Sequence, residues 1–315
     1  MEYGINFNGD LPIDHIIEGT RVAEQIGFKY IWVGEANEYI HPFPVLAAIC
    51  ENTTKIQIGS GIISPQLNLC RHILKAFETL HEAYGPRFII GLAPGDFIAL
   101  QSLGVEIKRP IEKIDQCLME ITGSVPTYIA RQITKTEEVC LYGVIPVFVG
   151  ATGPKAIEFA SLKADGILLN YLKPEYINWA SKYFKRRIYT AVYGPSLLLP
   201  DSYNEKKLLI AAAVVASSMP MELQIEFEIK NEINQIKTYL NHRNYSELVK
   251  YREFLYSNFT LSGTLEEINR KIEEIKRMNK VDQVIFGTPI CHSLESVKKL
   301  RKIIEGGGKW VHSEE

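Results

Sequence analysis

The stretch PVFVGATGPKA, residues Pro146–Ala156, decides how the rest of the chain is read. Pro146–Val149 is short, apolar and rich in β-branched and aromatic residues, which predicts a buried strand. Gly150 to Pro154 breaks the run. Helical periodicity then resumes over Ala156–Lys163, with apolar positions at Ile157, Ala160 and Ala164. Strand, glycine turn and helix start together aim free backbone N–H groups at an anion. Pro154 suits the first helical turn, where its missing N–H loses nothing, and Lys155 adds a cation. Two readings are open. Gly150, Ala151, Thr152, Gly153, Pro154 and Lys155 cradle the phosphate of a ligand, or they form an ordinary strand-to-helix turn capped by Thr152.

The same unit recurs on both sides. Strands are expected at Tyr3–Phe7, Tyr30–Val33, Lys55–Ile58, Arg87–Leu92, Asp165–Leu169, Arg187–Val192 and Asp282–Phe286. Helices are expected at Pro12–Gly27, Pro44–Glu51, Arg71–Tyr84, Ile111–Ile121, Pro174–Tyr183, Lys206–Ser217 and Glu295–Ile304. Thr264, with Glu267 three residues on, opens a helix ending near Lys280 through a capping box. Pro220 to about Asn258 is richer in Glu, Lys, Asn and Tyr and reads as several inserted helices. Roughly eight strand–helix units in about 300 residues predict an α/β fold, a (β/α)8 TIM barrel. The expected organisation is a single domain over 1–315, with a helical insertion at about 218–260 between the seventh and eighth units. A doubly wound sheet is the rival. It lacks support, because no GxGxxG follows the first strand and no GxxxxGK[ST] occurs.

The totals narrow the function classes. The chain has 315 residues, 46% of them hydrophobic, and a formal net charge of −2. That charge gives no basic field for nucleic acid. The five cysteines, Cys50, Cys70, Cys117, Cys140 and Cys291, are far apart and form no CxxC pair, which speaks for a reducing compartment. The start MEYGINFNGD is acidic and strand-like, so a signal peptide is not expected there. The longest apolar run, Leu208–Ala216, falls short of the roughly 20 residues a membrane span needs. A cytoplasmic protein with no membrane partner is expected.

In such a barrel the chemistry belongs to loops that follow the strands. Those loops are Asn6–Asp10, Gly34–Pro42, Gly59–Pro65, Ala93–Asp96, Gly150–Lys155, Asn170–Pro174 and Gly287–Pro289. The glycines of Gly59–Pro65 let backbone approach a flat ligand closely, or simply supply a turn with positive φ. Glu35 and Asp96 could act as acid, base or acceptor. Each could equally be a solvated loop charge, and Asp96 a cap for Phe97–Leu103. His41 lies on the same loop as Glu35, and Arg71 and His72 open a helix. No HxH or HExxH spacing occurs, so no metal is expected. No GxSxG or Cys/His pair supports a nucleophilic hydrolase.

Several stretches resemble the bacterial-luciferase-like superfamily, nearest its coenzyme F420-dependent branch, which includes methylenetetrahydromethanopterin reductase. They are YGINF, EQIGFKYIWVGE, IQIGSGIISP, RFIIGLAPGD, LGVEIKRPIEKI, the cradle within Val144–Ala156, ADGILLN and DQVIFGTPI, in this order over nearly the whole chain. The resemblance implies a (β/α)8 barrel with a deazaflavin or flavin across the strand C-termini. It implies a non-prolyl cis peptide at Gly61–Ile62 behind the ring. Gly61, Ile62, Ile63, Ser64 and Asn170 would join the cofactor contacts, and the cofactor phosphate would lie at Gly150–Lys155. Family members are commonly dimers, so a homodimer or higher homo-oligomer is expected.

The chain departs from the branch in two places. Asn6 stands where these reductases carry a glutamate, and Glu35-Ala36 stands where they tend to have Asp-His. Glu35 and Asp96 are therefore expected to do the polar work, with Asn6 positioning substrate or ring. The expected function is an F420-dependent oxidoreductase moving a hydride between the deazaflavin and a substrate carbon. Methylenetetrahydromethanopterin is the first substrate to try, then an altered pterin or a small alcohol or ketone. The alternatives are an FMN-dependent luciferase-like monooxygenase and a non-catalytic cofactor-binding paralogue.

Overall fold

Side-chain alternation along the strands divides the apolar residues into two populations, and that division builds the barrel. The computed structural model describes residues 1–36, 39–123 and 145–306. Its strands are β1 (Glu2–Asn6), β2 (Tyr30–Val33), β3 (Gln57–Ser60), β4 (Phe88–Leu92), β5 (Val147–Gly150), β6 (Gly166–Leu169), β7 (Tyr189–Leu198), β8 (Leu261–Gly263) and β9 (Gln283–Gly287). Each of β1 to β6 pairs with its successor in parallel, β6 pairs with β7, β7 with β9, and β9 with β1. Eight strands thus close a parallel ring with helices between them, the expected TIM barrel. β8 lies outside the ring and pairs only with the far half of β7, Ser196 opposite Leu261.

One set of strand residues, including Ile5, Ile31, Ile58, Ile90, Val149, Ile167 and Phe286, faces the helices and forms the main core. The alternate set, Trp32, Ile89, Phe148, Leu168, Ala191 and Ile285, forms a second cluster inside the ring. Large rings here are matched by glycines. A Cβ on Gly59 would come within 2.5 Å of the Trp32 ring, and one on Gly166 within 2.5 Å of the Phe148 ring. At the lower end Tyr30 and Tyr189 both donate to Glu2 Oε2, at 2.8 and 2.9 Å. The inside of the barrel is therefore filled, and a ligand meets it from the upper end.

The expected elements are present, with shifted ends and one added strand, β8. β3 starts at Gln57, two residues late. The N–H groups of Thr54, Lys55 and Ile56 are drawn instead to the Glu24 carboxylate, at 2.7 to 3.2 Å. β7 runs on past Val192 to Leu198, because it borders β9 as far as Pro195 and then picks up β8. The apolar helix expected at Lys206–Ser217 forms at Glu205–Ser217, and the polar stretch from Pro220 holds the several helices expected of it, Met221–Glu226, Lys230–Asn241 and Arg252–Phe259, with a 3-10 turn at Tyr245–Tyr251. The closing helix is two, Leu294–Lys299 and Arg301–Glu305, broken at Leu300. The capping box at Thr264 is formed as expected, with Glu267 as its partner. Cys140 lies outside the described residues, and Cys50, Cys70, Cys117 and Cys291 are buried free thiols. Among the described residues no helix is long and apolar enough to cross a membrane.

Candidate active site

At the upper end the inward positions are small. Gly91, on β4, stands so close to β3 that a Cβ would fall 1.9 Å from the Ser60 carbonyl oxygen. Gly150 ends β5, and its Cβ would lie 2.9 Å from Ala93 Cβ and 3.6 Å from Ile62 Cγ2. Glycine at these positions keeps backbone, rather than side chain, at the rim. The Gly61–Ile62 peptide is cis, as the resemblance implies. Ile62 is half-buried and packs on the inner cluster of Trp32 and Phe148. The backbone about it is pinned on three sides. Gly61 N–H donates to Val33 at 2.8 Å, Ile63 N–H to Gly91 at 2.9 Å, and Glu35 N–H to the Ile62 carbonyl at 3.1 Å.

The expected polar residues take different positions around this mouth. Asn6 is 2% exposed and its amide donates to the Trp32 carbonyl at 3.0 Å. Glu35 is half-buried, and both its oxygens are engaged. Oε2 accepts from Ser64 N–H at 2.9 Å and Oε1 from the Asn68 amide at 2.8 Å. Asp96 is exposed and starts the helix Phe97–Ser102, its carbonyl accepting from Leu100 N–H at 3.0 Å. Gly95, at φ 92°, makes the turn that places it there. Ser64 is nearly fully buried, and its hydroxyl donates to the Pro94 carbonyl, linking the loop after β3 to the loop after β4. His41 caps the helix Pro42–Asn52 through Nδ1 and does not join the others.

The cradle lies across the mouth, at the ends of β5 and β6. The helix Pro154–Lys163 has Gly153 as its N-cap, no side-chain cap and no acidic residue in its first turn. The expected alternative, a turn capped by Thr152, is not what forms. The cap position falls one residue later, on Gly153, and the Thr152 carbonyl accepts from the Tyr171 hydroxyl at 2.6 Å. Ala151 N–H bonds the Leu168 carbonyl at 3.1 Å, which holds the turn against β6 beside Asn170. Lys155 is exposed. An uncapped helix start, a neighbouring cation and no competing carboxylate suit a phosphate. A Cβ on Gly153 would meet nothing nearer than Pro220 Cβ at 3.8 Å, so the approach is open. Ile62 and the Trp32 ring beneath it suit a flat apolar ring system. The residues therefore fit a flavin or deazaflavin carrying a phosphate.

A third wall, at β1, β7 and β9, gathers side chains that no sequence motif singles out. Asn8 donates to Thr288 Oγ1 at 3.1 Å and to the Tyr39 hydroxyl at 3.4 Å. Tyr193 crosses Gly287, where a Cβ would touch its ring at 2.6 Å. Burial above all, and then electrostatic coupling to Tyr39, Cys291 and Asp10, hold its hydroxyl well above the usual tyrosine range. Burial likewise pushes the Cys291 thiol up to about 12. On the same side His292 lies between Asp10, 3.1 Å from Nε2, and Lys207, 2.8 Å from Nδ1. The loops carrying these residues were legible, and Tyr193 is two residues beyond the inward Ala191. That period of two was the available signal.

A closed parallel barrel with a phosphate-ready helix start beside an apolar mouth is the architecture of a cofactor-binding (β/α)8 enzyme class. A family model described as luciferase-like monooxygenase matches residues 1–279, and the chain belongs to that family. It is similar to the 5,10-methylenetetrahydromethanopterin reductase of Archaeoglobus fulgidus, 23% identical over 92% of this chain and 94% of the relative. Among solved structures it resembles the coenzyme F420-dependent tetrahydromethanopterin reductase from Methanopyrus kandleri. The TM-score is 0.80 at 22% identity, over 98% of this chain and 99% of that one. It also resembles an F420-dependent secondary alcohol dehydrogenase in complex with an F420–acetone adduct. There the TM-score is 0.68 at 14% identity, over 98% and 99% of the chains.

Proposed function

We propose that this chain is an F420-dependent oxidoreductase that transfers a hydride between the deazaflavin and a substrate carbon, with 5,10-methylenetetrahydromethanopterin as substrate. The observation that carries this reading is the uncapped helix start at Gly153 beside the Ile62 platform. The reductases similar to this chain over nearly its full length support the choice of cofactor and substrate. The cofactor, when bound, supplies the hydride chemistry.

The chain supplies the rest. Gly150 to Lys155 hold the phosphate, with backbone N–H groups doing the work that a rim of side chains would obstruct. Asn170 borders the same turn. Ile62, Ile63 and the Trp32 ring keep water from the inner face of the ring system. Asn6, fixed by the Trp32 carbonyl, orients ring or substrate without titrating. Asp96 is in reach of solvent and is the group assigned to exchange a proton with the substrate. On the same reading the protein works in the cytoplasm as a homodimer or higher homo-oligomer.

A second reading, an FMN-dependent monooxygenase, is favoured by the description of the matching family model. One assay separates the two. Purified protein is mixed with reduced F420 and methylenetetrahydromethanopterin, without oxygen, and the absorbance of oxidised F420 is followed. The proposal expects its appearance to depend on the pterin. Turnover that requires FMN and oxygen instead would overturn it, and turnover with acetone but no pterin would move the substrate to the alcohols and ketones.

A further inference from the structure

We infer that Glu35 is a positioning residue, a carboxylate that fastens the ligand platform around Ile62, and that it does not exchange protons with substrate. The inference rests on the cofactor reading above. Three hydrogen bonds run from this one residue to one loop. Its N–H donates to the Ile62 carbonyl at 3.1 Å, Oε2 accepts from Ser64 N–H at 2.9 Å, and Oε1 accepts from the Asn68 amide at 2.8 Å. Both oxygens are thus committed to donors, and bonds to an ionised acceptor are the strong ones.

The fastening reaches further than one loop. Ser64 is the node. Its N–H goes to Glu35, its hydroxyl goes to the Pro94 carbonyl, and its own carbonyl accepts from the Asn68 amide at 3.2 Å. The loops after β2, β3 and β4 are thereby one hydrogen-bonded unit. Ile62 lies at its inner edge and abuts the start of the cradle, 3.6 Å from where a Cβ on Gly150 would stand, so any shift of Ile62 moves the platform relative to the cradle. A ring bound over Ile62 feels any slack in the loop. The branch resembled here tends to have Asp-His at this place. A glutamate is one methylene longer than the aspartate, and it reaches both Ser64 and Asn68.

The test compares Glu35→Gln with Glu35→Ala. Glutamine keeps an oxygen for Ser64 N–H and can present its amide to a turned Asn68. Alanine loses both bonds. The inference expects Glu35→Ala to raise the Kd for F420, read by fluorescence titration, by about tenfold or more, the worth of one bond to a charged group. It expects Glu35→Gln to stay within a few-fold of the parent in Kd and kcat, with the pH profile of kcat unmoved. It also expects hydrogen–deuterium exchange at the Ser64 amide to quicken in Glu35→Ala and much less in Glu35→Gln. Loss of about a hundredfold in kcat in Glu35→Gln, with Kd unchanged, would make Glu35 an acid or base and overturn the inference. So would an unchanged Kd together with unchanged exchange in Glu35→Ala. A parent protein that binds no F420 would strike the cofactor reading instead, and the exchange experiment would then judge the clamp by itself.

Discussion

Gly153→Asp should strengthen the protein and weaken its hold on the cofactor, and the opposite signs make it informative. Gly153 is the N-cap of the helix Pro154–Lys163, at φ −91° and ψ 160°, extended backbone that an aspartate adopts freely. Its nearest neighbour would be Pro220 Cβ at 3.8 Å, an ordinary contact. An aspartate there can accept the N–H groups of the first turn, which now have no side-chain cap. Replacing glycine gains a few tenths of a kcal/mol as a cap, and the helix dipole adds about 0.3–1 kcal/mol. The same carboxylate would stand where the phosphate is proposed to bind. Two unit charges about 4 Å apart repel by about 4 kcal/mol at an effective dielectric near 20. Halving this for the open, solvated rim leaves about 2 kcal/mol, or roughly thirtyfold in Kd. The assays are thermal unfolding of the cofactor-free protein and fluorescence titration with F420. Gly153→Ser is the control, since it caps without charge. A Gly153→Asp protein that binds F420 as tightly as the parent would refute the cradle.

Three other outcomes follow from the same geometry. Asp96→Asn should lower kcat by about 10² with little change in the Kd for F420, read by steady-state kinetics, if Asp96 exchanges the proton. Gly59→Ala should destabilise by about 1–3 kcal/mol, because the added methyl falls 2.5 Å from the Trp32 ring inside the filled barrel, and urea unfolding would register it. Glu24 sets a pH dependence. Burial tends to raise its pKa, but the N–H groups of Lys55, Ile56 and Thr54 and the charge of Arg87 outweigh it, and the net shift is downward. A lowered folded-state pKa gives stability that is present above the unfolded glutamate value and lost as pH falls through the folded one. Glu24→Gln should therefore unfold at lower urea than the parent at pH 7, and the difference should shrink below about pH 4.

The barrel was legible because its units repeat and each carries its own punctuation. Tyr30–Val33 is a run of apolar residues followed by Gly34, and it is the strand that forms. Elements set by distant partners were not legible. β3 begins late because Glu24, on another helix, takes the preceding N–H groups. β7 outruns Val192 because β8, some seventy residues away in sequence, extends its ladder. The site divides in the same way. Gly150–Lys155 is a local motif and could be read, although the cap fell on Gly153 rather than Thr152. What Glu35 does depends on Ser64 and Asn68, and what Tyr193 does depends on Gly287, Asp10 and Tyr39. No local pattern announces such pairings. The glycines opposite Trp32 and Phe148 belong to the same class, small because of a neighbour on another strand.

Which cofactor the mouth of the barrel accepts decides what this chain does. Purified protein, freed of any bound cofactor, should be titrated separately with F420 and with FMN, each followed by its own fluorescence. Saturable one-to-one uptake of F420, weakened in Gly153→Asp and with FMN bound far less tightly, is the predicted result. Tight uptake of FMN with none of F420 would contradict it.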